Sequence, residues 1–405
     1  MKESRFNKYD ILLFVLILCT AGGMWGGAFK PARVMSIVFF IPVLISYTKV
    51  KIRMIKEVTT FLFFLLIWGF ASLLWTPNSG LGVSEWGNMV LRIIFFLELI
   101  VFGALSKNSI NTLINGWSAA FLITAIIAIW ELTTGNHLEV TNYVEGAENI
   151  NLGGGNVIAR QYAQATFYNY NGYVTFLCYC LPFLFSLAMM WSRGLKLLLA
   201  AIPLVLIVYV FVLNASRGGI LGLIIYAAVF SYFKLSKSKF SAKLSFLILF
   251  AIVVCIFAYF WDLISFYLEM RMESGGMHSS RTQIWACCWQ ALLDTGFIGC
   301  GVGGVMEALT AQHAYIPQPH DFFIEVALEF GIFVFIWMIV LMWKVFRMGR
   351  NCKDNVVRFI RISSLFAIPF ITMIDSTYLQ SIDLWAFLGS LLIINMGCNR
   401  LNVKI

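Results

Sequence analysis

Residues 195–213 read LKLLLAAIPLVLIVYVFVL, an almost unbroken apolar run with one lysine near its start. An α-helix needs about 20 apolar residues to cross the hydrocarbon core of a bilayer. This stretch has that length, and a short polar turn, NASRGG at residues 214–219, separates it from the next apolar run. The pattern predicts two membrane-spanning helices joined by a tight turn at the membrane surface.

The composition of the whole chain extends this prediction. Of the 405 residues, 60% are hydrophobic and 12% are charged, and this charged share is about half that of a soluble domain. A soluble fold of this size cannot bury so much apolar surface. The composition excludes a large soluble domain and predicts an all-α polytopic membrane protein, with residues 1–405 forming a single integral membrane domain.

Apolar runs bounded by charged or turn residues predict about twelve transmembrane helices. The predicted spans are Ile11–Phe29, Val34–Tyr47, Thr59–Trp75, Val90–Leu105, Gly116–Trp130, Tyr168–Trp191, Leu195–Leu213, Gly218–Phe233, Leu244–Trp261, Phe322–Trp343, Phe359–Ile374 and Leu384–Met396.

The basic residues predict the orientation of these helices. With the N-terminus in the cytoplasm, the cytoplasmic segments contain 22 of the 29 lysines and arginines, as the positive-inside rule requires. Both termini are therefore predicted to be cytoplasmic. Most of the basic residues behind the net charge of +9 then face the anionic inner leaflet. We therefore expect no nucleic-acid partner.

Two outer segments are long enough to hold structure of their own. The first covers residues 131–167. The second covers residues 262–321, between the ninth and tenth predicted helices, and its pattern is partly helical, notably over Thr282–Leu293. We predict that the catalytic residues lie in this large extracytoplasmic loop.

The sequence lacks the motifs of several kinds of chemistry. Its four histidines have no metal-ligand spacing, and no Walker loop, dinucleotide fingerprint or serine-hydrolase elbow occurs. We therefore expect neither a metal ion nor a cofactor. Glu98 is the one clear acidic residue deep in a predicted span, which is little support for the proton relay of a transporter.

Three outer positions carry groups suited to a phosphorylated sugar substrate. Arg217 lies in the turn after residue 213, and Arg281 begins the predicted loop helix. A guanidinium at either place can hold a phosphate through two parallel hydrogen bonds. His320 lies where the large loop enters the tenth helix, and a neutral imidazole there can accept a proton from a sugar hydroxyl.

Each of these residues also has a structural interpretation. Arg217 can contact lipid headgroups at the membrane surface. Arg281 can form a surface ion pair with Glu273. His320 can cap or pack at a helix start. The combination of two anion-binding cations and one base on one side of a membrane favours glycosyl transfer from a lipid diphosphate.

These motifs resemble the O-antigen ligase and Wzy-type polymerase superfamily of bacterial envelope glycan assembly. The likeness lies in the Ser216–Gly218 turn, the 281–304 segment and the block Pro319–Gly331. That block is similar to the family signature of histidine–asparagine, hydrophobic residues, a glutamate, three residues and a glycine. The twelve predicted helices and the large outer loop also match the family's GT-C-like layout, so the resemblance covers most of the chain.

The resemblance implies a metal-independent transferase of the bacterial plasma membrane. Such an enzyme takes a glycan from undecaprenyl diphosphate and joins it to an acceptor hydroxyl outside the membrane. Arg217 and Arg281 would bind the diphosphate and stabilise its departure, and His320 would act as general base. Asp321 stands where the family usually has asparagine, and a carboxylate there is expected to raise the pKa of His320 and cannot donate an amide hydrogen bond.

Two subclasses fit the resemblance. Ligases join the polymer to lipid A core or another acceptor, whereas polymerases extend one lipid-linked chain with another repeat unit of O-antigen, capsule or teichuronic-type polysaccharide. Residues 130–138 and 165–169 are more similar to polymerases. Polymerase is therefore the main interpretation, ligase is the alternative, and a flippase for lipid-linked glycans is the third.

The resemblance also adds candidate contacts and partners. Arg160, in the first outer loop, is a candidate contact for a second diphosphate or an acidic sugar, with Glu145 or Glu148 as the alternative ion-pair partners. His313 is a weaker candidate in the large loop. The implied partners are the lipid-linked donor, a glycan or lipid-linked acceptor, membrane lipids, a chain-length regulator and a flippase.

Overall fold

The computed structural model describes residues 7–141, 150–151, 157–158, 162–191, 194–214, 216–235, 280–314 and 316–403. Over these residues the chain is almost entirely helical, and the only sheet in them is the antiparallel pair β1 (Ile150–Asn151) and β2 (Val157–Ile158). The helices of this part of the chain are α1 (Lys8–Thr20), α2 (Pro31–Val38), α3 (Phe40–Tyr47), α4 (Arg53–Ser72), α5 (Ser79–Leu105), α6 (Ser109–Thr134), α7 (Tyr170–Met190), α8 (Gly194–Leu213), α9 (Arg217–Leu235), α10 (Ser280–Asp294), α11 (Val305–Ala311), α12 (Phe322–Phe330), α13 (Ile332–Met348), α14 (Asn355–Ile371) and α15 (Ile382–Val403).

The described helices have the character of a membrane protein. Five of them, α4 to α8, are long and apolar enough to cross a membrane, and α15 adds a shorter apolar run, Ile382–Cys398. Large apolar side chains such as Phe63, Ile126 and Val205 are exposed on the outside of the bundle. Because apolar residues cover both the interior and the outer faces, a lipid bilayer is the matching solvent. The fold is a helical, polytopic membrane protein, whereas the count of twelve spans and the orientation of the termini stay predictions.

The helix boundaries correct several predicted spans. Eleven of the twelve predicted spans overlap described helices, and Leu244–Trp261 lies outside the described residues. The span predicted for Val34–Tyr47 is broken at Phe39, between α2 and α3. The span predicted for Phe322–Trp343 is broken at Gly331, which has φ 87°. Hydropathy does not reveal such breaks, because the residues around them are apolar on both sides.

The two predicted outer loops also differ in detail. Helix α6 continues to Thr134, so the first residues of the 131–167 loop are helical. In the large loop, α10 confirms the helix predicted for Thr282–Leu293. Residues 262–279 of that loop lie outside the described residues.

Helix α7 is the centre of the described bundle. It is buried along most of its length and packs against α6, α8, α9 and α14. Trp117 of α6 stacks on Phe183 of α7 with ring centroids 5.4 Å apart, and its indole N–H donates to Ser390 Oγ of α15 at 3.0 Å. Gly103 of α5 leaves room for Ile393 of α15 to pack directly on the helix backbone. Close packing of this kind is what associates helices in lipid.

A polar cluster around Asp10 joins the start of α1 to the α5–α6 connection. Asp10 and Asn7 form a reciprocal capping box. The Asp10 carboxylate also accepts hydrogen bonds from the Asn108 N–H at 3.0 Å and from the Ser106 hydroxyl. The Asn7 side chain donates to the Leu105 carbonyl at 3.1 Å. One buried carboxylate therefore satisfies donors from two separate parts of the chain.

Replacing this carboxylate should destabilise the protein. In Asp10→Ala, the donors of Ser106 and Asn108 lose a charged acceptor, and we expect the free energy of unfolding to fall by about 2 kcal/mol. The control Thr48→Ala removes an exposed hydroxyl that bonds only to its own helix turn, and should change this free energy by less than about 0.5 kcal/mol. Unfolding of the purified protein in detergent measures both, and equal stability of Asp10→Ala and the wild type would contradict the assigned role.

Candidate active site

The connection between α14 and α15, residues 372–381, is the place where the predicted site segments meet, and we call it the site loop. At its start, the Thr372 carbonyl accepts a hydrogen bond from the Phe322 N–H, the first residue of α12, at 3.2 Å. A β-carbon on Gly218 would lie 2.7 Å from Cγ1 of Ile374. The glycine after Arg217 thus permits the start of α9 to pack against the site loop.

The carboxylate of Glu325 on α12 fixes the site loop. This buried group accepts hydrogen bonds from the Tyr378 N–H at 2.8 Å and the Leu379 N–H at 3.3 Å. The Tyr378 hydroxyl donates to the Ile371 carbonyl at 3.1 Å and accepts from the Asp375 N–H at 2.7 Å. The loop is therefore bonded both to itself and to the helix that follows His320.

His320 lies two residues before α12, with a left-handed backbone at φ 50°. Its half-buried side chain hydrogen-bonds to the backbone of Asp375. Its Nδ1 atom is buried, with no hydrogen-bond partner among the described residues. Burial lowers the pKa of His320, the positive charge of Arg281 lowers it further, and the bond to Asp375 opposes both. The imidazole is therefore mainly neutral near pH 7, the form that accepts a proton.

Arg281 lies in the first turn of α10 and is half-buried. Its positive charge lowers the pKa of His320 and opposes the larger increase that burial causes in the pKa of Asp321. Trp285 of the same helix donates its indole N–H to the Pro319 carbonyl at 3.1 Å, which attaches α10 to the segment before His320. The structure thus brings together two predicted site residues that are far apart in the sequence.

Arg217 is the first residue of α9, and its side chain is exposed. The preceding Ser216 accepts a hydrogen bond from the Gly219 N–H at 3.2 Å. Asn214 exchanges two hydrogen bonds with the Ala163 backbone, at 2.9 and 3.1 Å, which anchor the turn. A cation at a helix N-terminus opposes the helix dipole, and the same position attracts anions. An anion bound there would be stabilised by the guanidinium and the helix together.

Asp321 is the N-cap of α12. Its Oδ1 atom accepts a hydrogen bond from the Ile324 N–H at 2.9 Å, and burial raises the pKa of Asp321 to about 6. Asparagine and aspartate both supply the acceptor that an N-cap needs, so the departure from the family signature preserves this local role. The expected increase in the pKa of His320 is wrong, because burial and Arg281 lower that pKa.

The remaining candidates are not part of this arrangement. Arg160 lies outside the described residues, as does Glu273, the alternative ion-pair partner of Arg281. His313 is exposed on the turn after α11, with φ 55°. Of the predicted residues, the described structure therefore groups Arg281, His320 and Asp321, and joins them to the start of α9 through the site loop.

The glycine run at residues 299–304 is bonded to α12 and is not a free turn. The Gly301 N–H donates to the Glu329 carbonyl at 3.0 Å, and the Gly303 N–H donates to Glu329 Oε1 at 3.2 Å. Gly303 has φ 72° and lies against the backbone of Gly82, where a side chain would clash. These N–H groups are used inside the protein, so the run supports α12 and does not offer them to a ligand.

Sequence reasoning assigned no individual role to three acidic residues of this region. Glu325 and Glu329 are four residues apart, a spacing that places both on one face of α12 and was the available signal. Asp375 lies in a connection that no motif marks. Burial raises the pKa of Asp375 to about 6, and its side chain hydrogen-bonds to Asn169.

An apolar cavity of about 110 Å³ adjoins these residues. Its walls come mainly from α4, α12, α13 and α15, and they include Phe322, which directly follows Asp321. The other lining side chains are also apolar, among them Phe61, Phe330 and Trp385. Such a lining favours hydrocarbon over sugar.

Comparison with known proteins gives a family match. Residues 202–339 match the family model Wzy_C, described as O-antigen ligase. This segment is about a third of the chain and includes Arg217, Arg281 and His320. No curated protein matches the chain at a significant level. The resemblance carried by the motifs is confirmed over this segment, which is similar to a domain of the O-antigen ligase family.

Proposed function

We propose that this protein is a glycosyltransferase that polymerises undecaprenyl-diphosphate-linked oligosaccharide repeat units on the outer face of the bacterial plasma membrane. Both termini would be cytoplasmic, and the reaction would need no metal ion. The observation that carries the proposal is the attachment of α10, whose first turn holds Arg281, to the segment just before His320 through the hydrogen bond from Trp285 to the Pro319 carbonyl. The adjoining site loop also contacts the start of α9 at Gly218.

The proposed reaction transfers one glycosyl group. The oxygen of an acceptor sugar hydroxyl attacks the anomeric carbon of the donor. The bond from that carbon to the diphosphate oxygen breaks, and its electron pair leaves with undecaprenyl diphosphate. The hydroxyl proton passes to His320. Arg217 and Arg281 hold the diphosphate, and guanidinium groups already in position stabilise the charge that develops as the bond breaks.

The surroundings of His320 support its role as general base. A base must be unprotonated before it reacts, and burial together with Arg281 favours the neutral imidazole. The hydrogen bond to the Asp375 backbone uses one ring nitrogen and fixes the orientation of the ring. The other nitrogen, Nδ1, has no partner in the described structure, and a catalytic role is one of the explanations for a buried polar atom without a partner.

The apolar cavity beside Phe322 supports a lipid-linked donor. A segment of the undecaprenyl chain in this cavity would gain about 0.8 kcal/mol for each buried methylene. Because Phe322 follows Asp321, the diphosphate end of such a lipid would lie toward His320 and Arg281. The same lipid would therefore use the apolar cavity and the cationic residues together.

The second candidate function is O-antigen ligase, which transfers the finished polymer to lipid A core or another acceptor. The description of the matched family favours it. Both functions use the same donor and differ in the acceptor. If the protein is a polymerase, its partners would include a chain-length regulator and a flippase for the repeat unit.

The choice of acceptor distinguishes the two functions. We expect the purified protein, given only lipid-linked repeat units, to produce a ladder of products with increasing length, because a polymerase uses the same compound as donor and acceptor. Gel electrophoresis of the labelled glycolipids measures this. A product that forms only after lipid A core is added, in a single step, would identify a ligase and contradict the polymerase proposal.

Removal of the three proposed groups should abolish most of the activity. Arg217→Gln and Arg281→Gln should each lower the rate by about 10² to 10³-fold, because a preorganised contact to the developing charge is lost. His320→Gln should lower the rate by about 10² to 10⁴-fold. The matched controls are Arg350→Gln and His313→Gln, which change exposed side chains and should retain activity. Full activity of His320→Gln, with normal membrane insertion, would eliminate the proposed base.

The titration of His320 tests the electrostatic part of the proposal. Its pKa should lie below the ordinary 6.5 and should rise in Arg281→Gln, because the variant removes a nearby positive charge. The rate of the wild type should then fall only as the pH drops below 6.5 through this lowered pKa. NMR of nitrogen-labelled protein measures the pKa, since the chain has four histidines and His320→Gln assigns the signal. A pKa that is not lowered, and that does not respond to Arg281→Gln, would contradict this arrangement.

A further inference from the structure

A second cavity, of about 370 Å³, borders the site loop and has a different character from the apolar one. It is lined by the segment before α2, by α2 and α5, by residues 167–172 and by the start of α15. The site loop contributes Ser376, Thr377, Gln380 and Ser381 to its wall. A single water needs roughly 10–15 Å³ measured in this way, so the cavity has room for a polar headgroup.

Three cationic side chains from two separate parts of the chain line this cavity. They are Lys30, Arg33 and Arg92, and Asp383 is the one acidic residue in the described lining. The lining therefore carries two more positive than negative charges. Burial, together with the positive charges of Arg33 and Arg92, lowers the pKa of Lys30 to about 8, while Asp383 acts in the opposite direction. The cations are close enough to repel one another.

The hydrogen-bond partners of these cations are electrically neutral. The Lys30 ammonium donates to Met24 Sδ at 2.7 Å, Arg33 donates to Asn88 Oδ1 at 2.8 Å, and Arg92 Nε donates to the Gln380 carbonyl at 2.5 Å. Within the part of the chain that the structure describes, no carboxylate forms an ion pair with any of the three. Glu85, outside the lining, hydrogen-bonds to Gln380. Arg92 is only 8% exposed. The carboxylates of Glu85, Asp383 and Glu325 stabilise its charge electrostatically, but none of these described groups forms an ion pair with it, and burying a cation without a directly paired carboxylate is costly.

We propose that this cavity binds the diphosphate headgroup of a second lipid-linked sugar, the acceptor in the polymerisation. The inference rests on the proposed function, because a polymerase holds two lipid-linked substrates at once. A diphosphate supplies the directly paired anion that the three cations do not have among the described residues, and arginines bind its oxygens through paired hydrogen bonds.

The polar groups of the same cavity fit the sugar of such a substrate. Asn88 and Asn169 present amides to the lining, and the Oδ1 atom of Asp383 has no hydrogen-bond partner in the described structure. Sugar hydroxyls can donate to this carboxylate and bond to the amides. A carboxylate would repel inorganic phosphate, so its presence in the lining favours a ligand that also carries hydroxyl groups.

The position of Asp375 connects this cavity to the proposed base. Its side chain hydrogen-bonds to Asn169, which lines the cavity, and its backbone hydrogen-bonds to His320. A single residue therefore contacts both sites. An acceptor sugar bound beside Asn169 would therefore be linked to His320 through Asp375.

Binding stoichiometry tests the inference. The full-length protein in nanodiscs is titrated with farnesyl diphosphate, and in parallel with inorganic pyrophosphate, by calorimetry. We expect two binding sites for farnesyl diphosphate. The double variant Lys30→Gln/Arg33→Gln should weaken one of them by about tenfold or more, because two charge-assisted contacts are lost. Lys49→Gln/Lys51→Gln, which changes exposed lysines elsewhere, should keep both sites, and Lys30→Arg should also keep both.

The outcomes separate this inference from the proposed function. If Lys30→Gln/Arg33→Gln retains both sites while remaining folded, the second site is overturned and the proposed function stands. If Arg217→Gln/Arg281→Gln retains both sites while the lysine–arginine variant loses one, the donor site fails and the second site stands. Equal affinity of the second site for pyrophosphate and farnesyl diphosphate would identify a free-phosphate site and overturn the assignment to a lipid-linked substrate.

Discussion

The hydrogen bonds from the site loop to the Glu325 carboxylate hold together the parts on which the proposed chemistry depends. Glu325 is buried five residues after His320 and accepts the backbone N–H groups of Tyr378 and Leu379. Without this acceptor, each buried N–H would cost about 1–3 kcal/mol. The same loop contacts Gly218 and His320. One buried carboxylate therefore sets the relative positions of the start of α9, the base and the wall of the cationic cavity.

The positive charge of Arg281, near the site loop, would affect both substrate binding and the base in the proposed reaction. The charge of Arg281 contributes to keeping His320 neutral, and in the proposed reaction the same charge would attract the diphosphate. A bound diphosphate should offset part of that positive charge, which raises the pKa of His320 and makes it a stronger base when the donor is present. The low dielectric of the surroundings strengthens each of these effects relative to water. Binding of the substrate and activation of the base are then two results of one electrostatic interaction.

The sequence predicted those features that depend on local pattern. Apolar runs locate most of the described helices, and the helix start predicted at Arg281 is confirmed by α10. The breaks at Phe39 and Gly331 escape prediction, because hydropathy does not register the end of one helix and the start of another inside an apolar segment. The hydrogen bonds of Glu325, and the grouping of Lys30 and Arg33 with Arg92, join residues far apart in the chain. Such contacts are set by tertiary packing, and a single sequence carries no record of them.

The most direct test of the central claim is a structure, by electron cryo-microscopy, of the protein bound to an unreactive analogue of the lipid-linked donor. The account predicts density for the diphosphate between the guanidinium groups of Arg217 and Arg281. It also predicts an acceptor hydroxyl, or its analogue, within about 3 Å of a ring nitrogen of His320. Diphosphate density that contacts neither arginine, or that is separated from His320 by the helices of the bundle, would contradict the account.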